Sequence, residues 1–517
     1  SPPARDRVRL QVSGGAGVGF TWSVAPVAVP PEFIPHAGDP WMTPPACGGP
    51  GVCVLGGVYQ LENGGYRSAL AALEGGGWKA SAPPLPPGAT GTGSVAEVPP
   101  ACSSNGTCLV PGYHSEADRL WQGLAYVFVQ GSWAAAEIPQ PLPPGSPEAQ
   151  LFGLSAPACS TDDTCVMVVE YWVDGGRREA LATYAQGEWR AIEPTLPDFG
   201  EPAPGAAETI PACASDGLCV AATNSSIGGW MTVVNALEGG VWTSRRAPVP
   251  AGGQADSGLV QGVAACSQIQ VCVMHGAFRD ELGSWREMLL TYEEGAWSAV
   301  EAPAPPGGEE ADPGGLPACS SDGTCVVAGE YRDSEGGRSE MISTLRAGTW
   351  SSTQVSPPPG GRPYTAGIQS YGSACSSGGI CVFGGSYGDQ SGDLHGLLVT
   401  LADGVWRADD VPVPPDGEAG SGFVDIGAAC TEDQRCVLAG SYEAEDGTNK
   451  YMLVTLAGGE WTAEEMPETP EYEPSQGSLF ARPACAAAGP CVILGESSRK
   501  FGGYTRFVLV GEGPPVR

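Results

Sequence analysis

Nine cysteine pairs of constant C-x5-C spacing, eight tryptophans in phase with them, and two chain ends that divide one repeat between them predict the fold class. It is all-β: a single nine-bladed β-propeller of four-stranded blades spanning residues 1–517. The pairs are Cys47 with Cys53, Cys102 with Cys108, Cys159 with Cys165, Cys213 with Cys219, Cys266 with Cys272, Cys319 with Cys325, Cys375 with Cys381, Cys430 with Cys436, and Cys485 with Cys491. Successive pairs begin 53 to 57 residues apart. Trp78, Trp133, Trp189, Trp242, Trp297, Trp350, Trp406 and Trp461 each follow the first cysteine of their pair by 29 to 31 residues.

Each repeat divides into four short strands. The sixth reads GLPAC, CVVAGEY, MISTLRAG and TWSSTQV, then SPPPGGRP. These segments are rich in Val, Leu, Thr and aromatics and are bounded by Gly, Asp, Asn or Pro. No stretch sustains the apolar period of a helix. Turns such as SSNGT and SSDGT between paired cysteines suit a tight hairpin, so a disulfide there staples the first strand to the second. Such a small ring is worth at most about 2 kcal/mol. The ninth repeat stops after FVLVGEG, before its tryptophan, whereas GFTWSVAPV places Trp22 25 residues ahead of Cys47, close to the usual gap. Residues 1–30 are therefore expected to complete the last blade and close the ring. Val8–Gly14 reads as a surplus strand that could pair with another chain and build a head-to-tail homopolymer.

Charge and cysteine usage bound the setting. The 58 acidic residues against 25 basic ones give a net charge of −33, which disfavours nucleic acid and anionic membrane surfaces as partners. No apolar run approaches the 18 residues of a membrane span, so no membrane insertion is expected. An even cysteine count points to disulfides in an oxidising compartment. The chain opens at Ser1 without a basic-then-apolar leader and is expected to be a mature secreted product, extracellular or on a cell surface. No metal site is expected: zinc favours shorter spacing, and His36, His114, His275 and His395 share no place in the repeat. Asp162, Asp163, Asp216 and Asp322 offer a weak Ca²⁺ reading, but solvated turns explain them better. No other cofactor is expected. Asn105 and Asn224 match the glycosylation sequon.

The turn before each in-phase tryptophan (LEGGGW, LEGGVW, LRAGTW, LADGVW) resembles the Asp-box turn, S-x-D-x-G-x-x-W, of sialidase-type propellers. The resemblance covers this turn only. Here Gly lies two residues before Trp rather than three, and Asp403 alone supplies the acid. In that family the turn is structural, which implies that these tryptophans are blade core. Gly57, Gly112, Gly276, Gly329, Gly385, Gly440 and Gly495, ten residues after the first cysteine in seven of the nine repeats, are expected to permit close packing. So are the aromatics two places on: Tyr59, Tyr171, Phe278, Tyr331, Tyr387 and Tyr442.

Departures from the repeat carry the functional signal. Trp41, Trp121, Trp172, Trp230 and Trp285 fall out of phase, one in each of the first five repeats. Consecutive strands are antiparallel, so connections between second and third strands share a face with those between blades. Trp41 is placed in an inter-blade connection and the other four in or beside connections of the second and third strands. Arg67, Arg119, Arg177, Arg178, Arg286 and Arg338 fall in similar connections. Flat rings stack on sugars and guanidinium forks bind carboxylates, so this face is a candidate glycan or protein platform. The competing reading is loop packing with ordinary ion pairs.

No H-E-x-x-H, G-x-S-x-G, P-loop or dinucleotide fingerprint is present. The expectation is a secreted binding or scaffold propeller, either a glycan binder or a fibre subunit assembled through its N-terminal strand. A sialidase-like glycan-cleaving enzyme is the alternative. The resemblance implies an arginine triad at the central funnel for that activity, and no local motif marks one.

Overall fold

The computed structural model describes residues 20–26, 41–49, 51–60, 66–87, 92–115, 122–141, 150–173, 176–194, 210–225, 231–362, 366–368, 372–467, 477–479, 482–487, 489–498 and 504–513. They form nine antiparallel sheets arranged as blades around an axis. Within a blade the chain runs from the innermost strand outward. The fifth is representative: Leu259–Cys266, Cys272–Arg279, Trp285–Glu293 and Ala296–Glu301 pair in that order. In several blades the inner strand is broken, as in the first, where Trp41–Met42 and Ala46–Gly48 both pair with Val52–Gln60.

The inner Ala-Cys segments touch one another around the axis, and that of the ninth blade touches that of the first. The Cys47 sulfur lies 3.4 Å from the Ala484 carbonyl oxygen across this junction. Met42, Leu55 and Leu73 of the first blade are packed with Val492, Leu494 and Val508 of the ninth. The outermost strand of the ninth sheet is Thr21–Pro26, antiparallel to Tyr504–Glu512 with Trp22 opposite Gly511. Val8–Gly14 lies outside the described residues.

Spacing explains the staple. Each C-x5-C folds into a hairpin whose two cysteines are direct cross-strand partners, with Cα atoms 4.0 Å apart, and every expected disulfide is formed. In the first three blades Cys47 is joined to Cys53, Cys102 to Cys108 and Cys159 to Cys165. In the next three Cys213 is joined to Cys219, Cys266 to Cys272 and Cys319 to Cys325. In the last three Cys375 is joined to Cys381, Cys430 to Cys436 and Cys485 to Cys491. The second cysteine of each pair lies at the start of the second strand and is fully buried, as Cys53, Cys108, Cys165, Cys219, Cys272, Cys325, Cys381, Cys436 and Cys491 all show. The staple therefore sits inside the blade, out of reach of solvent reductants on that side.

No helix of the described residues is long and apolar enough to cross a membrane. The turn before the in-phase tryptophan is a two-residue hairpin with both residues at positive φ, such as Glu294 (50°) and Gly295 (79°). That geometry matches strand twist and calls for Gly at the second place. The glycine ten residues after the first cysteine is required by contact: a Cβ on Gly276 would lie 2.0 Å from the Leu259 carbonyl oxygen.

The in-phase tryptophans do more than fill the blade. Four indole N–H groups donate to a threonine on the third strand of the preceding blade: Trp242 to Thr183 (2.8 Å), Trp350 to Thr291 (3.0 Å), Trp406 to Thr344 (3.2 Å) and Trp461 to Thr400 (3.1 Å). The second periodic aromatic also has a polar end, for Tyr171 donates to Glu193, Tyr387 to Asp410 and Tyr442 to Asp416.

Candidate functional site

The structure spreads the candidate residues around the ring. Trp41 lies in the inner strand of the first blade, half-buried, rather than in an inter-blade connection, because its backbone pairs with Val58. Arg67 is exposed on the third strand of that blade. In the third blade Trp172 is exposed opposite Arg177, Arg177 pairs with Glu170, and Arg178 pairs with Glu193 at 3.2 Å. Trp121, Arg119 and Trp230 lie outside the described residues. The described candidates therefore meet in two places, Trp172 with Arg177 in the third blade, and Trp285, Arg286 and Arg338 in one recess between the fifth and sixth blades.

That recess holds about 170 Å³. Its fifth-blade wall is the start of the third strand, Trp285-Arg286-Glu287, with Glu301 and Ala302 from the end of the outer strand. The sixth blade supplies the inner-strand run Glu309-Glu310-Ala311-Asp312, then Glu330, Tyr331 and Arg332, and Arg338. Trp285 is half-exposed and carries the Arg279 guanidinium 4.9 Å from its ring centroid. Each guanidinium lining the recess faces a carboxylate. Arg286 reaches Asp280 (3.5 Å) and Glu310 (3.3 Å), Arg332 reaches Glu310 (3.9 Å), and Arg338 reaches Glu330 (3.1 Å).

Register shows why the recess exists. The third-strand residue ten places before the in-phase tryptophan points at the inner strand of the next blade. In the first blade it is Ser68, which accepts the Val95 N–H at 2.9 Å; in the fourth it is Thr232, which accepts the Val260 N–H at 2.8 Å. In the sixth it is Glu340, bonded by the backbone of Ile368. The fifth blade has Glu287 there, and the facing residue is Pro313. Its equivalence to Val260 follows from the close approach that recurs within each blade: Pro313 Cα lies 2.6 Å from where a Gly329 Cβ would be, as Val260 Cα does at 2.9 Å from Gly276. Proline has no N–H. Among the described residues none donates a hydrogen bond to the Glu287 carboxyl.

Burial, and then the nearby Asp312 carboxylate, push the Glu287 carboxyl up to about 7. Asp312 is itself raised, by burial and by Glu330, against the opposing pull of Arg338. The recess thus presents a carboxyl poised at neutral pH beside an aromatic face. Sequence reasoning found Trp285, Arg286 and Arg338 but not Glu287, Asp312 or Pro313. The available signal was GEEADPGG, which puts three acids and a proline where other repeats carry an apolar first strand.

Three of the four turn acids are hydrogen-bonded within their own hairpin or to a neighbouring one. Asp162 accepts Ser160 and the Thr164 N–H within its own turn, Asp322 does the same with Ser320 and Thr324, and Asp163 accepts Ser103 of the neighbouring blade. Asn105 donates its amide to the Thr161 carbonyl at 2.6 Å. No described group of three or more His, Cys, Asp or Glu is placed to hold a metal. His275 is buried in the fifth blade, which lowers it to about 4 and keeps it neutral. At the opposite end of the axis a second recess is lined by Ser267, Ser320, Ser376 and Thr431 beside their cysteines. There Ser321 donates to the Ser377 carbonyl and Ser377 to the Glu432 carbonyl, both at 2.6 Å, tying successive hairpins together.

No protein-family model and no curated protein matches the chain. Among solved structures it is similar to the β-propeller domain of the Trilobed protease from Pyrococcus furiosus, at 7% identity over 84% of this chain and 99% of that one, with a TM-score of 0.40. It is also similar to an α-L-arabinanase from Penicillium chrysogenum (11% identity, 70% of this chain and 93% of that one, TM-score 0.29). A Hadza microbial sialidase matches at 12% identity over 68% of this chain and 74% of that one, with a TM-score of 0.29.

Proposed function

We propose that the chain is an extracellular binding or scaffold propeller whose ligand, a glycan, sits in the recess between the fifth and sixth blades. The observation that carries this reading is the meeting there of Trp285, Arg286 and Glu287, three side chains that offer a ring face, a fork of donors and a carboxyl to one small volume. A sugar needs this combination: apolar C–H faces stack on rings while hydroxyls exchange hydrogen bonds with fixed polar groups. The nine disulfides fit an oxidising, extracellular setting, and the wide ring makes a rigid platform.

Isothermal titration against a panel of oligosaccharides tests the reading. One or more should bind, and Trp285→Ala should weaken that binding about tenfold or more, which corresponds to about 1.4 kcal/mol. No sugar should be cleaved. Binding unaffected by Trp285→Ala would remove the recess from the account, and steady release of reducing ends would favour a hydrolase.

A further inference from the structure

We infer that the recess selects a sugar bearing a primary ammonium group, seated between Glu287 and Asp312 in the place where other blade junctions put a backbone N–H. This rests on the proposed glycan site and names its ligand class.

The geometry comes from comparing junctions. Where Ser68 and Thr232 stand, the next blade closes the gap with an N–H at 2.9 and 2.8 Å. Pro313 removes that donor opposite Glu287, so the acceptor faces the recess instead. A ligand nitrogen at this point replaces what the repeat lost. An ammonium has three donors to share between two carboxyls, whereas an N-acetylated amine has one and no charge.

Charge balance points the same way. The recess is lined by six carboxyl groups, Glu287, Glu301, Glu309, Glu310, Asp312 and Glu330, against three guanidiniums. Those three already face Asp280, Glu310 and Glu330. Glu287, Glu301, Glu309 and Asp312 therefore remain, and of these Glu287 and Asp312 act on one another across the junction, where an incoming cation would be shared. Trp285 shows the same preference, since one guanidinium already lies over its ring. An anionic sugar would meet uncompensated carboxylates and is excluded on the same grounds. Asp312 is the charge that acts on Glu287, and Glu330 and Arg338 act in turn on Asp312; Arg286 on the same strand and Glu301 on the outer strand of its blade line the same recess.

Titration calorimetry at pH 7 with a β-1,4-linked glucosamine tetramer and its fully N-acetylated counterpart tests this. The free-amine tetramer should bind at least tenfold more tightly. Glu287→Gln, isosteric and neutral, should bring its affinity down to that of the acetylated tetramer. Pro313→Ala, which restores an N–H facing Glu287, should weaken the free-amine tetramer severalfold and leave the acetylated one unchanged. Equal or tighter binding of the acetylated tetramer would overturn the inference while leaving the glycan site standing. Trp285-dependent binding of other panel sugars but of neither tetramer would also overturn it alone, and failure of every sugar would remove both.

Discussion

Two neighbouring junctions use opposite means of closure. Between the fourth and fifth blades, the end near the second-to-third-strand connections is sealed by Thr232 and the Val260 N–H, while the Trp297 indole nitrogen has no hydrogen-bond partner among the described residues. Between the fifth and sixth blades the order is reversed. The Trp350 indole is bonded to Thr291, and the end near the connections is left open by Glu287 and Pro313. The repeat thus offers two kinds of inter-blade fastening, and among the described residues each of these two junctions is held by one of them alone. Where the one near the connections is missing, as between the fifth and sixth blades, a recess is left without opening the ring.

If that is right, the open junction must be held by what lies beneath it. Leu289 is fully buried there against Ala302 and Val327. Leu289→Ala should cost about 2–5 kcal/mol in urea unfolding; a cost below about 1 kcal/mol would show that this packing is not what holds the blades. The sealed junction is tested next. Thr232→Val keeps the shape but strands the Val260 N–H, and should cost about 1–3 kcal/mol. Glu287→Gln, at the corresponding place in the open junction, should cost nothing at neutral pH. Equal losses would erase the distinction between the two junctions.

A smaller effect separates them by pH. Burial raises Glu287, Glu340 and Glu464 to about 7. Each of these carboxyls keeps its proton in the folded chain after the unfolded chain has released it. Their contribution to stability is full below the unfolded pKa of about 4.3, declines as pH rises through the window up to about 7, and levels off beyond it. The melting temperature should therefore fall between pH 5 and pH 8, and Glu287→Gln should flatten that fall. An unchanged slope in the variant would mean that Glu287 is not one of the groups responsible. The smallest expected effect is that of Pro313→Ala on stability, within about 1 kcal/mol, accompanied by a downward shift of the Glu287 carboxyl resonance titration.

The legible part of the molecule was whatever repeats. Cysteine and tryptophan phase gave blade number, strand order and the stapled hairpins, because nine copies of one constraint leave few foldings. The partners of those periodic residues were less legible. That Trp350 would reach Thr291 across a junction depends on blade-to-blade rotation, which no spacing encodes. The candidate site was half-legible. Trp285, Arg286 and Arg338 stood out as exceptions among connections, whereas Glu287 looked like an ordinary strand acid. Its distinction comes from Pro313, 26 positions later in sequence, and appears only once the two inner-strand registers are laid side by side. Trp41 misled for a related reason, since a two-residue strand ahead of a break reads as a loop.

The account is tested most directly by the structure of the protein crystallised with a bound oligosaccharide. Sugar density should lie against Trp285 with a polar group of the sugar within hydrogen-bond distance of Glu287. A sugar seated instead beside Trp172 in the third blade, or in the axial recess near Ser376, would contradict it.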